Sequence, residues 1–134
     1  MMRKYSFGLM AVLCLGINPA FASKATNFQI KLASPTTVDR QTVLYTCQGN
    51  GDAAKELLSR LPQKRVAVQY INADAISLAV LPIEGHTQVF SNVIAADGAK
   101  YAAAQHVWWN KGNDAFFSSE MDDKALVTCH AVSK

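Results

Sequence analysis

From Arg65 onward the sequence is a succession of short strand-like runs with very little between them. Arg65–Asn72 (RVAVQYIN) puts Val66, Val68 and Tyr70 on one face. Ala75–Leu81 follows after Asn-Ala-Asp, and Pro82–Gly85 reads as the next turn. His86–Ile94 sets Phe90, Asn92 and Ile94 opposite Val89, Ser91 and Val93. Lys100–Trp109, Ala115–Ser119 and Ala125–Val132 continue the series. Period-two alternation bounded by Gly, Pro, Asn and Asp is the signature of strands. Connections this short join antiparallel neighbours, because parallel pairing needs a crossover of a dozen or more residues. With Thr42–Cys47 (TVLYTC) added, the series comes to about seven or eight strands. Such a sheet leaves two exposed edges unless it closes on itself. The expected fold is all-β: a small antiparallel β-barrel with alternating large and small inward residues and little room for a ligand inside. Ala102-Ala103-Ala104 is expected at a crowded barrel position.

One segment breaks the pattern. Asp52–Leu61 (DAAKELLSRL) is rich in helix formers and is followed by Pro62. It predicts one short helix with Asp52 as N-cap. Ala54, Leu57, Leu58 and Leu61 share a face, so the helix should pack over one end of the core.

The N-terminus reads as export machinery. Arg3 and Lys4 precede the apolar run Phe7–Ile17, which is too short to span a bilayer comfortably. Ala20-Phe21-Ala22 is a small-x-small cleavage signal, so residues 1–22 are expected to be a signal peptide. A lipoprotein acylated at Cys14 is disfavoured, because bulky Leu13 precedes it and Cys14 lies within the apolar run. The expectation is a soluble periplasmic protein with no stable membrane anchor. Residues 23–41 form a polar arm in which Phe28, Ile30 and Leu32 could make an edge strand. Residues 42–134 form the barrel domain.

The signal carries one of the three cysteines, leaving Cys47 and Cys129. An even pair in an oxidising compartment most simply forms one disulfide. Without a CxxC, two distant cysteines make a poor redox or metal pair. Cleavage also removes Arg3 and Lys4, so the 13 basic residues fall to eleven against 10 acidic ones. A near-neutral chain lacks the basic footprint of a nucleic-acid binder and the charge for attachment to an anionic membrane. His86, His106 and His130 show no metal-ligand spacing, and no GxSxG elbow or phosphate-cradling loop occurs. Asp122-Asp123 reads as a solvated loop pair. The chain is therefore expected to be a binding protein, not an enzyme, with no cofactor and no metal. Nothing selects an oligomeric state.

Recognition then falls to loops on a rigid scaffold. The stretch Ala96–Ala115 holds two turn signals, Asp97-Gly98 and Lys111-Gly112, on either side of a single expected strand ending in Trp108-Trp109. Asp-Gly between strand-like runs is a strong hairpin signal. Lys111 stands at the tip of the cluster Asn110–Asp114, a cation beside large apolar surface.

These residues resemble the bacterial C-type lysozyme inhibitor family, the MliC/PliC-like proteins. The resemblance rests on Tyr45-Thr46-Cys47, on Asp97-Gly98-Ala99-Lys100-Tyr101 where the family has S-G-x-[KR]-Y, on Trp109–Ala115 where it has W-x-K-G-x-x-A, and on the late Cys129. It implies an eight-stranded antiparallel barrel, a Cys47–Cys129 bridge and inhibition of C-type lysozyme in the cell envelope. Family members insert a loop into the lysozyme cleft and set the motif Ser and Lys against the catalytic carboxylates. The implied contact set here is Asp97, Gly98, Lys100, Tyr101, Lys111 and Gly112, with Tyr101 alternatively a structural strand residue. Asp97 departs from the family Ser, and the helical segment is longer than the usual family loop. A different partner, a glycan or an apolar ligand bound through Trp108 and Trp109 is the competing expectation.

Overall fold

The computed structural model describes residues 26–33 and 35–133. The signal-peptide segment lies outside the described residues. Residues 26–31 form no strand, and Phe28 and Ile30 are exposed, so the edge strand considered for that arm does not form.

Eight strands follow: β1 (Asp39–Gln48), β2 (Val66–Ala73), β3 (Ile76–Ile83), β4 (His86–Val93), β5 (Ala99–Ala103), β6 (His106–Lys111), β7 (Asp114–Ser119) and β8 (Asp122–Ala131). Each pairs antiparallel with the next, and β8 pairs with β1 to close the barrel. The closing register sets Cys47 directly opposite Cys129, and the two are disulfide-bonded. Inward positions of all strands converge on Trp108, Phe90, Phe117, Tyr45, Leu81 and Val68, all fully enclosed.

Helix α1 (Asp52–Ser59) sits between β1 and β2. It turns Ala54 and Leu57 inward, and Leu57 and Leu61 join the barrel core. Each buried leucine contributes roughly 1.5–3 kcal/mol of hydrophobic stabilisation. The N-cap is Gly51, with φ of 86°, and not Asp52, which begins the helix and makes no side-chain cap. Arg60, just past the helix, pairs with Glu56 at 3.3 Å and Glu84 at 3.4 Å, and its carbonyl accepts the Glu84 N–H. These contacts tie the helix to the β3–β4 turn.

Four expectations need correcting. β1 begins at Asp39, because Asp39–Gln41 pair with Asn72–Tyr70 of β2. Pro82 belongs to β3, and the turn is only Glu84-Gly85, both with positive φ. Pro82 lies beyond the last β2 partner, Val80, where β3 needs no donor on that side. Asp122 and Asp123 open β8, although both are exposed as expected. Lastly, Lys100–Trp109 is not one strand. It reverses at Ala104-Gln105, with Ala104 at φ 49°, so β5 and β6 form a hairpin. The three alanines approach and form this turn: Ala104 is exposed, and Ala102 and Ala103 are half-buried, with Ala103 packed against the core.

His106 lies at the helix end of the barrel, 6% exposed, with its ring tilted over Phe117 at 5.3 Å. Neither ring nitrogen has a hydrogen-bond partner among the described residues. Burial holds its pKa below the ordinary 6.5; the neighbouring Arg60 charge pushes the same way and Glu84 opposes it. A depressed base binds its proton more weakly folded than unfolded. Stability should therefore fall as pH drops below about 6.5, until the folded imidazole also protonates. Thermal unfolding of the native chain and of His106→Phe across this range checks it. The variant should lose part of the acid destabilisation.

Candidate functional site

The missed hairpin decides where the site lies. A single strand would carry Asp97-Gly98 and Lys111-Gly112 to opposite ends of the barrel. Two strands running out and back return both to the same end, and Ala99 pairs with Asn110. The β6–β7 connection is the two-residue turn Gly112-Asn113, with Lys111 paired to Asp114 and Gly112 at φ 67°. Gly98 has φ 61°, and a Cβ there would stand 2.2 Å from the Asn110 carbonyl oxygen. Any side chain at this position would force the two loops apart. Asp97-Gly98 thus closes the longer β4–β5 connection, Ile94–Gly98, instead of forming a tight hairpin of its own.

Alternation along β6 divides the tryptophans. Trp108 points inward and is fully enclosed, so it cannot be a contact residue. Trp109 points outward, with two cations over its ring. Lys111 Nζ sits 3.9 Å from its ring centroid and Lys100 Nζ 5.1 Å. The Trp109 indole N–H donates to the Asp97 carbonyl at 2.9 Å, which fastens the loop to β6. The Asp97 carboxylate in turn meets Lys111 Nζ at 3.5 Å. Lys111 keeps 35% of its side chain exposed and Asp97 65%. The outer rim therefore presents a fixed ammonium on an aromatic platform, with one carboxylate beside it. Each cation–π contact at such exposure contributes about 0.5–1 kcal/mol, enough to bias a flexible lysine towards one place.

Inside the rim the barrel mouth opens into a cleft of about 390 Å³, lined by Tyr45, Tyr70, Tyr101, Asn72, Asn110 and Gly112 among others. Tyr101 is 4% exposed, and its hydroxyl meets Ser77 Oγ at 3.3 Å. Trp108 Nε1–H donates to the Tyr70 hydroxyl at 2.9 Å, and the Tyr70 and Tyr45 hydroxyls meet at 2.8 Å. The Asn110 amide donates to the Tyr45 hydroxyl at 2.9 Å and to the Gly112 carbonyl at 3.4 Å. Two O–H protons serve a single tyrosine–tyrosine bond, so one remains free to face the cleft. Burial pushes both tyrosines above the ordinary value of 10.0, Tyr70 much the further, so neither ionises at physiological pH.

The six expected contact residues are thus gathered at one end in two layers. Asp97, Gly98, Lys100, Lys111 and Gly112 form the surface rim, and Tyr101 lies beneath it. The Tyr45–Tyr70–Asn110 chain was missed, although two tyrosines within strands β1 and β2 and Asn110 next to the end of β6 were a usable signal. Of the histidines, His130 Nδ1 lies 2.6 Å from Asp114 on the neighbouring strand, and His86 is exposed.

The family model described as membrane-bound lysozyme-inhibitor of c-type lysozyme (MliC) matches residues 62–126. A membrane-bound lysozyme inhibitor of C-type lysozyme from Pseudomonas aeruginosa is 41% identical over 87 residues, 64% of this chain and 58% of that protein. The chain thus spans less than two thirds of that relative. A protein of the same description from Cupriavidus necator is 28% identical over 97 residues, 69% of this chain and 67% of that one. The crystal structure of Pseudomonas aeruginosa MliC in complex with hen egg white lysozyme superimposes with a TM-score of 0.61. Identity is 33%, and the match covers 82% of this chain and all of that one.

Proposed function

The chain belongs to the MliC family, and on that premise we propose that it inhibits C-type lysozyme by occluding the active-site cleft, with no chemistry of its own. The observation that carries the reading is the placement of Lys111. Its ammonium is held on Trp109, at the tip of a two-residue turn, beside the Asp97-Gly98 loop. Lysozyme cleaves glycosidic bonds with two acidic side chains in a cleft. A narrow turn carrying an ammonium can reach such a pair and form charge-assisted hydrogen bonds as water leaves. The tyrosine network beneath holds Asn110 and so supports the turn from inside the barrel.

The contact set is Lys111 and Gly112 at the tip, Asp97 and Gly98 alongside, and Lys100 over the Trp109 ring. Tyr101 serves from below as a support. The site of action is the cell envelope, and the finer proposal is a soluble periplasmic protein released after Ala22. The domain assignment of residues 1–22, 23–41 and 42–134 belongs to the same proposal.

The test is lysis of cell-wall substrate by a C-type lysozyme titrated with the purified protein. Inhibition that saturates near one-to-one supports the reading, and undiminished lysis at micromolar protein contradicts it. A second reading has the free tyrosine O–H in its favour: the uncharged mouth as a site for a small neutral ligand such as a sugar. Saccharide titration followed by Trp108 emission would separate it, because Trp108 is bonded to Tyr70 at the floor of the cleft.

A further inference from the structure

We propose that Asp97 is a built-in competitor for Lys111 and thereby determines which partners the turn can engage; this rests on the inhibitor reading above. The backbone that carries the carboxylate is fixed in place. The Asp97 carbonyl accepts the Trp109 indole N–H at 2.9 Å, and Gly98 is backed against the Asn110 carbonyl. The loop that carries Asp97 is therefore held beside the turn, and its carboxylate stands 3.5 Å from Lys111 Nζ. Asp114, the acid paired with Lys111 across the turn, is engaged with His130 at 2.6 Å.

This arrangement sets a threshold. A partner offering one solvated carboxylate gives Lys111 nothing that Asp97 does not already supply. Exchange of one exposed ion pair for another is close to neutral. A cleft with two carboxylates and little water offers more, and it can outcompete Asp97 despite the repulsion between like charges. Lys100, whose ammonium also lies over the Trp109 ring, keeps the local balance positive and partly offsets that repulsion. Asp97 is thus a specificity-determining residue: it lowers affinity for every acidic partner, and lowers it most usefully for the wrong ones.

The experiment is a double-mutant cycle of Asp97→Asn and Lys111→Ala, with inhibition constants measured against C-type lysozyme. Asp97→Ser serves as a second, smaller replacement, and a short polyglutamate peptide is the unspecific acidic probe. Asp97→Asn should tighten inhibition by up to about fivefold, Asp97→Ser should do the same, and the gain should vanish in the Lys111→Ala background. The native chain should ignore polyglutamate, and Asp97→Asn should bind it. Unchanged or weaker inhibition by Asp97→Asn, from a native chain that does inhibit, overturns the inference and leaves the inhibitor reading standing. An equal gain with and without Lys111 also overturns it, as a general charge effect. Absence of inhibition by native chain and variant alike overturns the reading itself and this inference with it.

Discussion

Lys111→Ala should weaken lysozyme inhibition by about 2–5 kcal/mol, a factor of about 30 or more, while the barrel keeps its stability to within about 1 kcal/mol. The two effects separate because of where Lys111 stands. In the free protein its ammonium makes one half-exposed ion pair and rests on Trp109, with a second, looser approach to Phe116 at 5.7 Å. Such contacts are weak in water and screened by salt. In a cleft that excludes water the same charge faces carboxylates at low dielectric, and removing it leaves them uncompensated. Inhibition constants with parallel thermal unfolding check both halves. Loss of stability comparable to the loss of inhibition would mean that Lys111 acts through the fold.

The second large effect concerns the fold itself. Replacing Cys47 and Cys129 together by Ala should cost about 4–5 kcal/mol at most on the chain-entropy account. The bridge closes a loop with a sequence separation of 82 and joins the first and last strands at the seam of the barrel. That seam is short: β8 meets β1 over only Tyr45–Gln48. Denaturant unfolding of the oxidised chain and of the double variant measures the difference. A loss below about 1 kcal/mol would mean that the seam is held by packing on Tyr45, Val127 and α1 instead.

The barrel was legible in the sequence because its turns are mostly written in Gly, Asn and Asp, and its strands alternate cleanly. The hairpin at Ala104-Gln105 was not. Ala-Ala-Ala-Gln has no residue that favours positive φ, and the left-handed Ala104 is imposed by the pairing of β5 with β6 around it. That one miss hid the reason the site exists, because only the reversal brings the two loops together. Pro82 misled in the opposite sense: it marks the end of β2 pairing, not the end of β3. The residues of the rim were nameable from their motif and turn chemistry. The Asp97–Lys111 pair, the placement of Lys111 over Trp109 and the inward tyrosine chain depend on which strand face each residue takes at the barrel end. No local pattern gives that face once the strand boundary is wrong.

The central claim is that the turn bearing Lys111 enters the partner, and amide chemical-shift mapping of the isotopically labelled protein with unlabelled C-type lysozyme tests it most directly. The account predicts the largest perturbations at Asp97, Gly98 and Lys111–Asn113, with little change in α1 at the other end of the barrel. Perturbations centred on Asp52–Ser59 or on the outer face of β2 to β4, with the Lys111 turn unmoved, would contradict it.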